Sequence, residues 1–190
     1  MPIGLYFGSF NPVHIGHLII ANHVLNETGV KKIWFVLSPQ NPFKPSTTLL
    51  NEYDRLHLLQ KAIDGDPRMK AVDIEFSLPK PSYTAITLNY LAEKYPGEEF
   101  QVLMGSDSFQ NLPKWRNAAY ILKNYAILVY QRPGFDAKNT LGANVTILEA
   151  PLLEISATYI RKMVQAGKSI RYLVPPAIEE EIQANRFFRS

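Results

Sequence analysis

Two histidines, His14 and His17, flank Gly16 in the string Gly8-Ser9-Phe10-Asn11-Pro12-Val13-His14-Ile15-Gly16-His17-Leu18. The string falls where an apolar run, Ile3–Phe7, gives way to a helical pattern beginning near Ile15. A strand-to-helix junction presents outward backbone N–H groups and the positive end of a helix dipole, and both attract an anion. The spacing puts both imidazoles on one side of the helix start. Imidazoles donate hydrogen bonds to phosphate oxygens and add charge when protonated. Gly16 leaves room for a phosphate to approach the backbone. A zinc site is a weak alternative. Zinc wants three protein ligands, and no carboxylate or third histidine stands nearby with supporting spacing, so no metal ligand is assigned.

A second cluster lies late in the chain, at Ile155-Ser156-Ala157-Thr158-Tyr159-Ile160-Arg161. Ser156 at a helix N-cap, with Thr158 and Arg161 just beyond, places two hydroxyls and a guanidinium around one helix start. Phosphate is their natural partner, and an ordinary capped helix with a solvated arginine is the bland alternative. Gly167-Lys168-Ser169 fails as a Walker loop, because position 162 is Lys where that loop needs Gly, and because it follows a helix. No G-x-G-x-x-G occurs.

The elements that must position these groups alternate. Strands are expected at Ile3–Phe7, Ile33–Leu37, Ala71–Ile74, Phe100–Met104, Tyr125–Tyr130 and Val145–Leu148. Helices are expected at Ile15–Glu27, Glu52–Ile63, Tyr83–Tyr95, Trp115–Leu122, Ser156–Ala166 and Pro176–Ala184, with a loop over Asn41–Thr48. On Glu52–Ile63 the apolar face is Leu56, Leu59 and Ile63. Strands separated by helices imply an α/β, Rossmann-like, doubly wound parallel sheet. Ligands bind such sheets at the carboxyl ends of the strands, where strand order reverses. That selects the loops after Phe7, Leu37, Met104 and Tyr130.

With 190 residues, 46% apolar and 19% charged, the chain is sized for one domain with a self-sufficient core, not a disordered or collagen-like one. Residues 156–190 form a C-terminal helical portion expected to pack on that domain. Cysteine is absent, which excludes disulfides, thiolate nucleophiles and thiolate-bound metal, and fits a reducing compartment such as the cytoplasm. The net charge of +3 is scattered, without the basic run of a nucleic-acid binder. No signal peptide or membrane span is expected. The sequons at Asn26 and Asn144 are read as coincidental.

The two clusters together resemble the nucleotidylyltransferase superfamily, and nearly end to end the chain resembles bacterial nicotinate-nucleotide adenylyltransferases. Pro39-Gln40-Asn41-Pro42-Phe43-Lys44, Pro81-Ser82-Tyr83-Thr84, Gly105-Ser106-Asp107, Leu112-Pro113-Lys114-Trp115, Arg132-Pro133-Gly134 and Ile170-Arg171-Tyr172-Leu173-Val174-Pro175-Pro176 match that family's blocks in order. The resemblance implies adenylyl transfer from ATP to nicotinate mononucleotide, giving nicotinic acid adenine dinucleotide and pyrophosphate. It implies that Gly8, Ser9, Phe10, His14, His17 and Lys44 meet the ATP phosphates, and that Gly105 and Asp107 hold the ribose. Arg132, Ser156, Thr158 and Arg161 complete the ATP side. Trp115 would stack on the pyridine ring, with Thr84 and the backbone N–H of Arg116 reading its carboxylate. His14, His17 and Arg161 are the expected catalytic groups, and Mg²⁺ would be held mainly by ATP oxygens and water. The expected partners are ATP and nicotinate mononucleotide, without nucleic acid or membrane, and a homo-oligomer stays open. Phe7, Phe43 and Lys80-Pro81 depart from the family pattern, standing for a usual glycine, histidine and Gly-containing turn. Nicotinamide mononucleotide, another phosphorylated acceptor, or a non-catalytic nucleotide-sensing module are the competing readings.

Overall fold

The computed structural model describes residues 1–43, 47–135, 137, 141–151 and 154–189. Its centre is β1 (Pro2–Gly8), with β2 (Lys32–Leu37) and β3 (Met69–Val72) on one side. On the other side lie β4 (Glu99–Gly105), β5 (Ala126–Tyr130) and β6 (Val145–Leu148). All pairings are parallel, in the order β3-β2-β1-β4-β5-β6. The sequence-based fold class is therefore correct. The order reverses between β1 and β4, so their carboxyl ends flank a crevice.

Alternation along the strands divides the apolar residues between two faces. Tyr6, Ile33, Phe35 and Leu37 face one core, and Leu5, Trp34 and Val36 the other. The first core is covered by α1 (Ile15–Glu27), α2 (Glu52–Ala62), α6 (Ala157–Gln165) and α7 (Pro176–Ala184), through Ala21, Val24, Leu58, Leu59, Ile160, Ile178 and Ile182. The second is covered by α3 (Thr84–Lys94), α4 (Ser106–Asn111) and α5 (Ala118–Asn124), through Leu88, Leu91, Phe109 and Ile121. The C-terminal residues Ile170, Val174 and Phe188 also enter the first core, and Leu173 O accepts from Ile15 N at 3.0 Å, at the start of α1.

Three local expectations are corrected. The expected strand Ala71–Ile74 is Met69–Val72, and Ile74 opens a 3-10 turn, Ile74–Ser77. The expected helix Trp115–Leu122 starts at Ala118, because Asn117 is left-handed with φ 55°, after a 3-10 turn at Leu112–Lys114. The short α4, for which no helix was expected, follows directly from β4. On α2 the buried residues are Arg55, Leu58 and Leu59, with Leu56 only half-buried.

Candidate active site

At the carboxyl ends of β1, β2, β4 and β5 lies a cavity of about 540 Å³. It gathers residues from both polar clusters and from most of the other blocks singled out in the sequence: Gly8, Ser9, Phe10, His14, His17, Thr84, Gly105, Asp107, Trp115, Arg116, Arg132, Ser156, Thr158 and Arg161 all line it, whereas the Ile170–Pro176 block does not. Lys44, the remaining expected ATP ligand, lies outside the described residues. Among the described residues, six buried side-chain polar atoms lack a hydrogen-bond partner: Ser9 Oγ, His14 Nδ1, Glu75 Oε2, Ser82 Oγ, Asp107 Oδ1 and Arg132 Nε. All six residues line this cavity. Asp107 Oδ1 and Arg132 Nε face each other as an ion pair, but an unpartnered buried polar atom costs free energy, so Ser9 Oγ and His14 Nδ1 in this crevice mark a place built for a polar ligand.

The turn between β1 and α1 forms the cavity floor. Phe10 sits at φ 44°, a left-handed conformation costly for a bulky residue. Packing holds it there. Its ring, 2% exposed, lies edge-on to Tyr6 and Phe35 at 5.8 and 5.5 Å, over a Gly8 whose Cβ would stand 2.9 Å from it. The side chain of Phe10 is thus core, and only its backbone is placed to serve a phosphate. Gly16 also differs from expectation. The space over it is taken by the His14 ring, 3.1 Å from where a Cβ would be.

The two imidazoles stack, with centroids 3.7 Å apart and planes 25° from parallel. The His14 backbone N–H donates to His17 Nδ1 at 3.2 Å. With Nδ1 an acceptor, the proton of neutral His17 resides on Nε2. Burial, with a smaller contribution from the Arg132 charge, pulls His14 down to about 4. His14 is consequently neutral at pH 7 in the free protein, and two guanidiniums, Arg132 and Arg161, bring positive charge to the site.

Arg161 is one of these. Its Nη1 donates to Asn11 O at 2.8 Å and its Nη2 to Thr158 Oγ1 at 3.2 Å, so α6 is stitched to the turn after β1. Ser156 Oγ accepts from Tyr159 N at 3.2 Å as the helix cap, which leaves its hydroxyl proton available to donate. Arg132 is the second guanidinium. Its Nε stands 3.3 Å from Asp107 Oδ1, and its Nη2 donates to Tyr130 Oη at 3.0 Å. Gly105 makes this arrangement fit, because a Cβ there would lie 2.5 Å from Asp107 Oδ1 and 2.9 Å from Arg132 Nε.

The far end of the cavity is aromatic. Trp115 and Phe43 face each other with planes 25° apart and centroids 6.4 Å apart. The Arg116 guanidinium lies 5.0 Å over the Tyr83 ring, beside Thr84. Glu75, 2% exposed, accepts from Thr87 Oγ1 at 2.8 Å, and burial pushes its carboxyl up.

Sequence reasoning passed over Arg55, Glu75, Asn11 and the Tyr6–Tyr130 pair. Asn11 Nδ2 donates to Thr48 O at 2.8 Å and its Oδ1 accepts from Leu50 N at 3.1 Å, pinning the segment before α2. The available signal for Arg55 was a charged residue spaced i, i+3, i+4 with Leu58 and Leu59 on one helix stripe.

Fold and site together define an α/β nucleotidyl-transfer protein, with an anion cradle at the switch point of a parallel sheet and an aromatic slot beside it. The cytidylyltransferase-like family model matches residues 5–163. A Cytophaga hutchinsonii protein, "Probable nicotinate-nucleotide adenylyltransferase", is 49% identical over 99% of this chain and 98% of its own. A Flavobacterium johnsoniae protein of the same name is 45% identical over 100% of both chains. The solved Plasmodium falciparum nicotinic acid mononucleotide adenylyltransferase complexed with NaAD shares the fold, with a TM-score of 0.85 at 20% identity over 98% of this chain and 97% of that one. The chain belongs to the cytidylyltransferase-like family and, within it, to the nicotinate-nucleotide adenylyltransferases.

Proposed function

We propose that the protein transfers the adenylyl group of ATP to nicotinate mononucleotide, forming nicotinic acid adenine dinucleotide and pyrophosphate. The observation that carries this reading is the junction of the two polar clusters. The stacked His14–His17 couple and the Arg161 guanidinium meet across Asn11 in one cavity whose other end is the Phe43–Trp115 slot.

The acceptor's 5′-phosphate attacks the α-phosphorus of ATP. The new P–O bond joins the two nucleotides, the bond to the β-phosphate oxygen breaks, and its electron pair leaves with pyrophosphate. A phosphate monoester, with a second pKa near 6, is already mostly dianionic at pH 7, so no general base is required. The barrier lies in bringing polyanions together in line and in stabilising charge on the leaving group. Arg161 supplies positive charge at the triphosphate. His14, neutral, and His17 act as hydrogen-bond donors there, with Ser156 and Thr158 orienting. Asp107 and Gly105 take the adenosine ribose, with Arg132 beside it. Trp115 stacks on the pyridine ring, and Thr84 with the Arg116 N–H reads its carboxylate.

Mg²⁺, held mainly by ATP oxygens and water, would screen the phosphate charge. Among the described residues no group of three or more His, Asp or Glu is placed to hold a metal ion, and the cavity's guanidiniums and imidazoles suit phosphate oxygens rather than a resident cation. Among the described residues no helix is long and apolar enough to cross a membrane, and this reading involves no nucleic acid or membrane partner. Work in the cytoplasm accords with ATP as substrate and with the absence of cysteine.

Pyrophosphate release from ATP and Mg²⁺, measured side by side with nicotinate and nicotinamide mononucleotide, tests the reading. Faster release with the nicotinate form is expected, and chelation of Mg²⁺ should abolish it. Preference for the amide would move the assignment to another acceptor. ATP binding without release for any mononucleotide would favour a sensing module.

A further inference from the structure

Arg55, on α2, is 1% exposed, yet it was no part of the expected site. Its Nε donates to Leu50 O at 2.9 Å, its Nη1 to Ser9 O at 2.9 Å and Ser38 O at 2.8 Å, and its Nη2 to Pro39 O at 2.9 Å. These carbonyls come from the turn after β1, the loop after β2 and the segment before α2. Glu52, on the same helix, accepts instead from Lys80 Nζ at 2.7 Å. Burial lowers the guanidinium to about 10, which leaves it charged at neutral pH. A buried cation bonded only to neutral carbonyls carries a desolvation cost that a mechanical cross-link alone does not require.

The peptide geometry gives the charge a use. In a planar trans peptide the C=O and the following N–H point in opposite directions. A Ser9 carbonyl held by Arg55 therefore turns the Phe10 N–H away from α2. On the same turn, Arg161 Nη1 takes the Asn11 carbonyl at 2.8 Å. Two guanidiniums thus hold carbonyl oxygens of one turn, in a region where a carbonyl facing the cavity would repel phosphate.

We propose that Arg55 is a positioning residue for adenylyl transfer, fixing the Ser9–Phe10 peptide with its N–H toward the ATP phosphates and placing an unpaired positive charge beneath them. The proposal rests on the phosphate reading of the cavity. Arg55 acts through the turn and touches neither substrate.

Arg55→Lys keeps the charge but replaces a planar fork with a single flexible ammonium, and Arg55→Met removes both. Lys61→Met is the control, since it breaks the Lys61–Glu181 ion pair between α2 and α7 without touching the turn. Arg55→Lys is expected to lower kcat by roughly ten- to a hundredfold at saturating substrates, with a smaller change in acceptor KM. The rise in Tm caused by added pyrophosphate should be kept in wild type and Lys61→Met, reduced in Arg55→Lys and lost in Arg55→Met. Should Arg55→Met not fold, Arg55→Lys carries the test. Lower Tm in Arg55→Lys with wild-type kcat and pyrophosphate response would show a merely structural arginine and overturn the proposal. Pyrophosphate binding without adenylyl transfer in wild type would sink the functional reading while the Arg55 comparison still decides. No pyrophosphate response in wild type would overturn both.

Discussion

His14 and His17 divide one task between two rings. The His14 ring is buried against Gly16 and forms one plate of the stack, while the His17 ring, with its proton directed to Nε2, is the more exposed donor. His17→Ala should lower kcat by at least ~10²-fold, the cost of a lost electrostatic donor, with little change in Tm. Turnover near wild type in that variant would remove His17 from the mechanism. His14 has a stability signature. Its folded value of about 4 lies below its ordinary 6.5, so as pH falls the unfolded chain takes the proton first. Its contribution is whole above pH 6.5, is lost between 6.5 and about 4, and is constant below. Between pH 7.5 and 5 the loss is roughly 2 kcal/mol. Urea unfolding at those two pH values should show a smaller difference for His14→Gln than for wild type by about that amount. Equal differences would show that His14 is not held neutral by its burial.

At the scale of elements, the junctions matter more than the elements themselves. β4 passes directly into α4 at Gly105, where the Asp107–Arg132 pair folds back onto the backbone. A Cβ at 2.5 Å from one partner and 2.9 Å from the other has nowhere to go, so Gly105→Ala must part them. That variant is expected to fold, because Gly105 is not left-handed (φ −76°), and to raise the KM for ATP at least tenfold while leaving the acceptor KM close to wild type. An unchanged ATP KM would detach the pair from the adenosine side. The same junction shows what a sequence can and cannot display. Alternating apolar positions mark strands and long helices, so α1, β6 and α7 were legible to the residue. Gly105-Ser106-Asp107 carries the composition of a turn, and α4, only Ser106–Asn111, is too short for periodicity to reveal. The two polar clusters were legible because phosphate chemistry selects His, Ser, Thr and Arg. Their union was legible only through the family resemblance, not from spacing, since it depends on a contact across 150 positions, Arg161 to Asn11. Arg55 was hidden for the opposite reason: its bonds go to carbonyls, which leave no trace in side-chain identity.

At the scale of the molecule, the C-terminal helices belong to the site and to the core at once. α6 carries Arg161 to the phosphate turn, Leu173 O accepts from the first residue of α1, and Ile170, Val174, Ile178 and Ile182 lie in the core beneath β1 and β2. If residues 156–190 and the sheet form one cooperative unit, a cavity cut in α7 must be felt on the opposite face. The two tryptophans allow this to be seen, because Trp34 and Trp115 pack in or against the other core. Ile182→Ala should cost ~2–5 kcal/mol, the range for emptying a buried aliphatic position. At about 2–4 °C per kcal/mol for a chain of this size, far-UV circular dichroism and tryptophan fluorescence should fall together by several degrees. Coincidence of the two curves in wild type and variant is the criterion for one unit. A C-terminal portion that folds separately would shift the dichroism alone, leave the tryptophan transition in place, and leave Arg161 on a movable arm, unable to hold a fixed positive charge at the triphosphate.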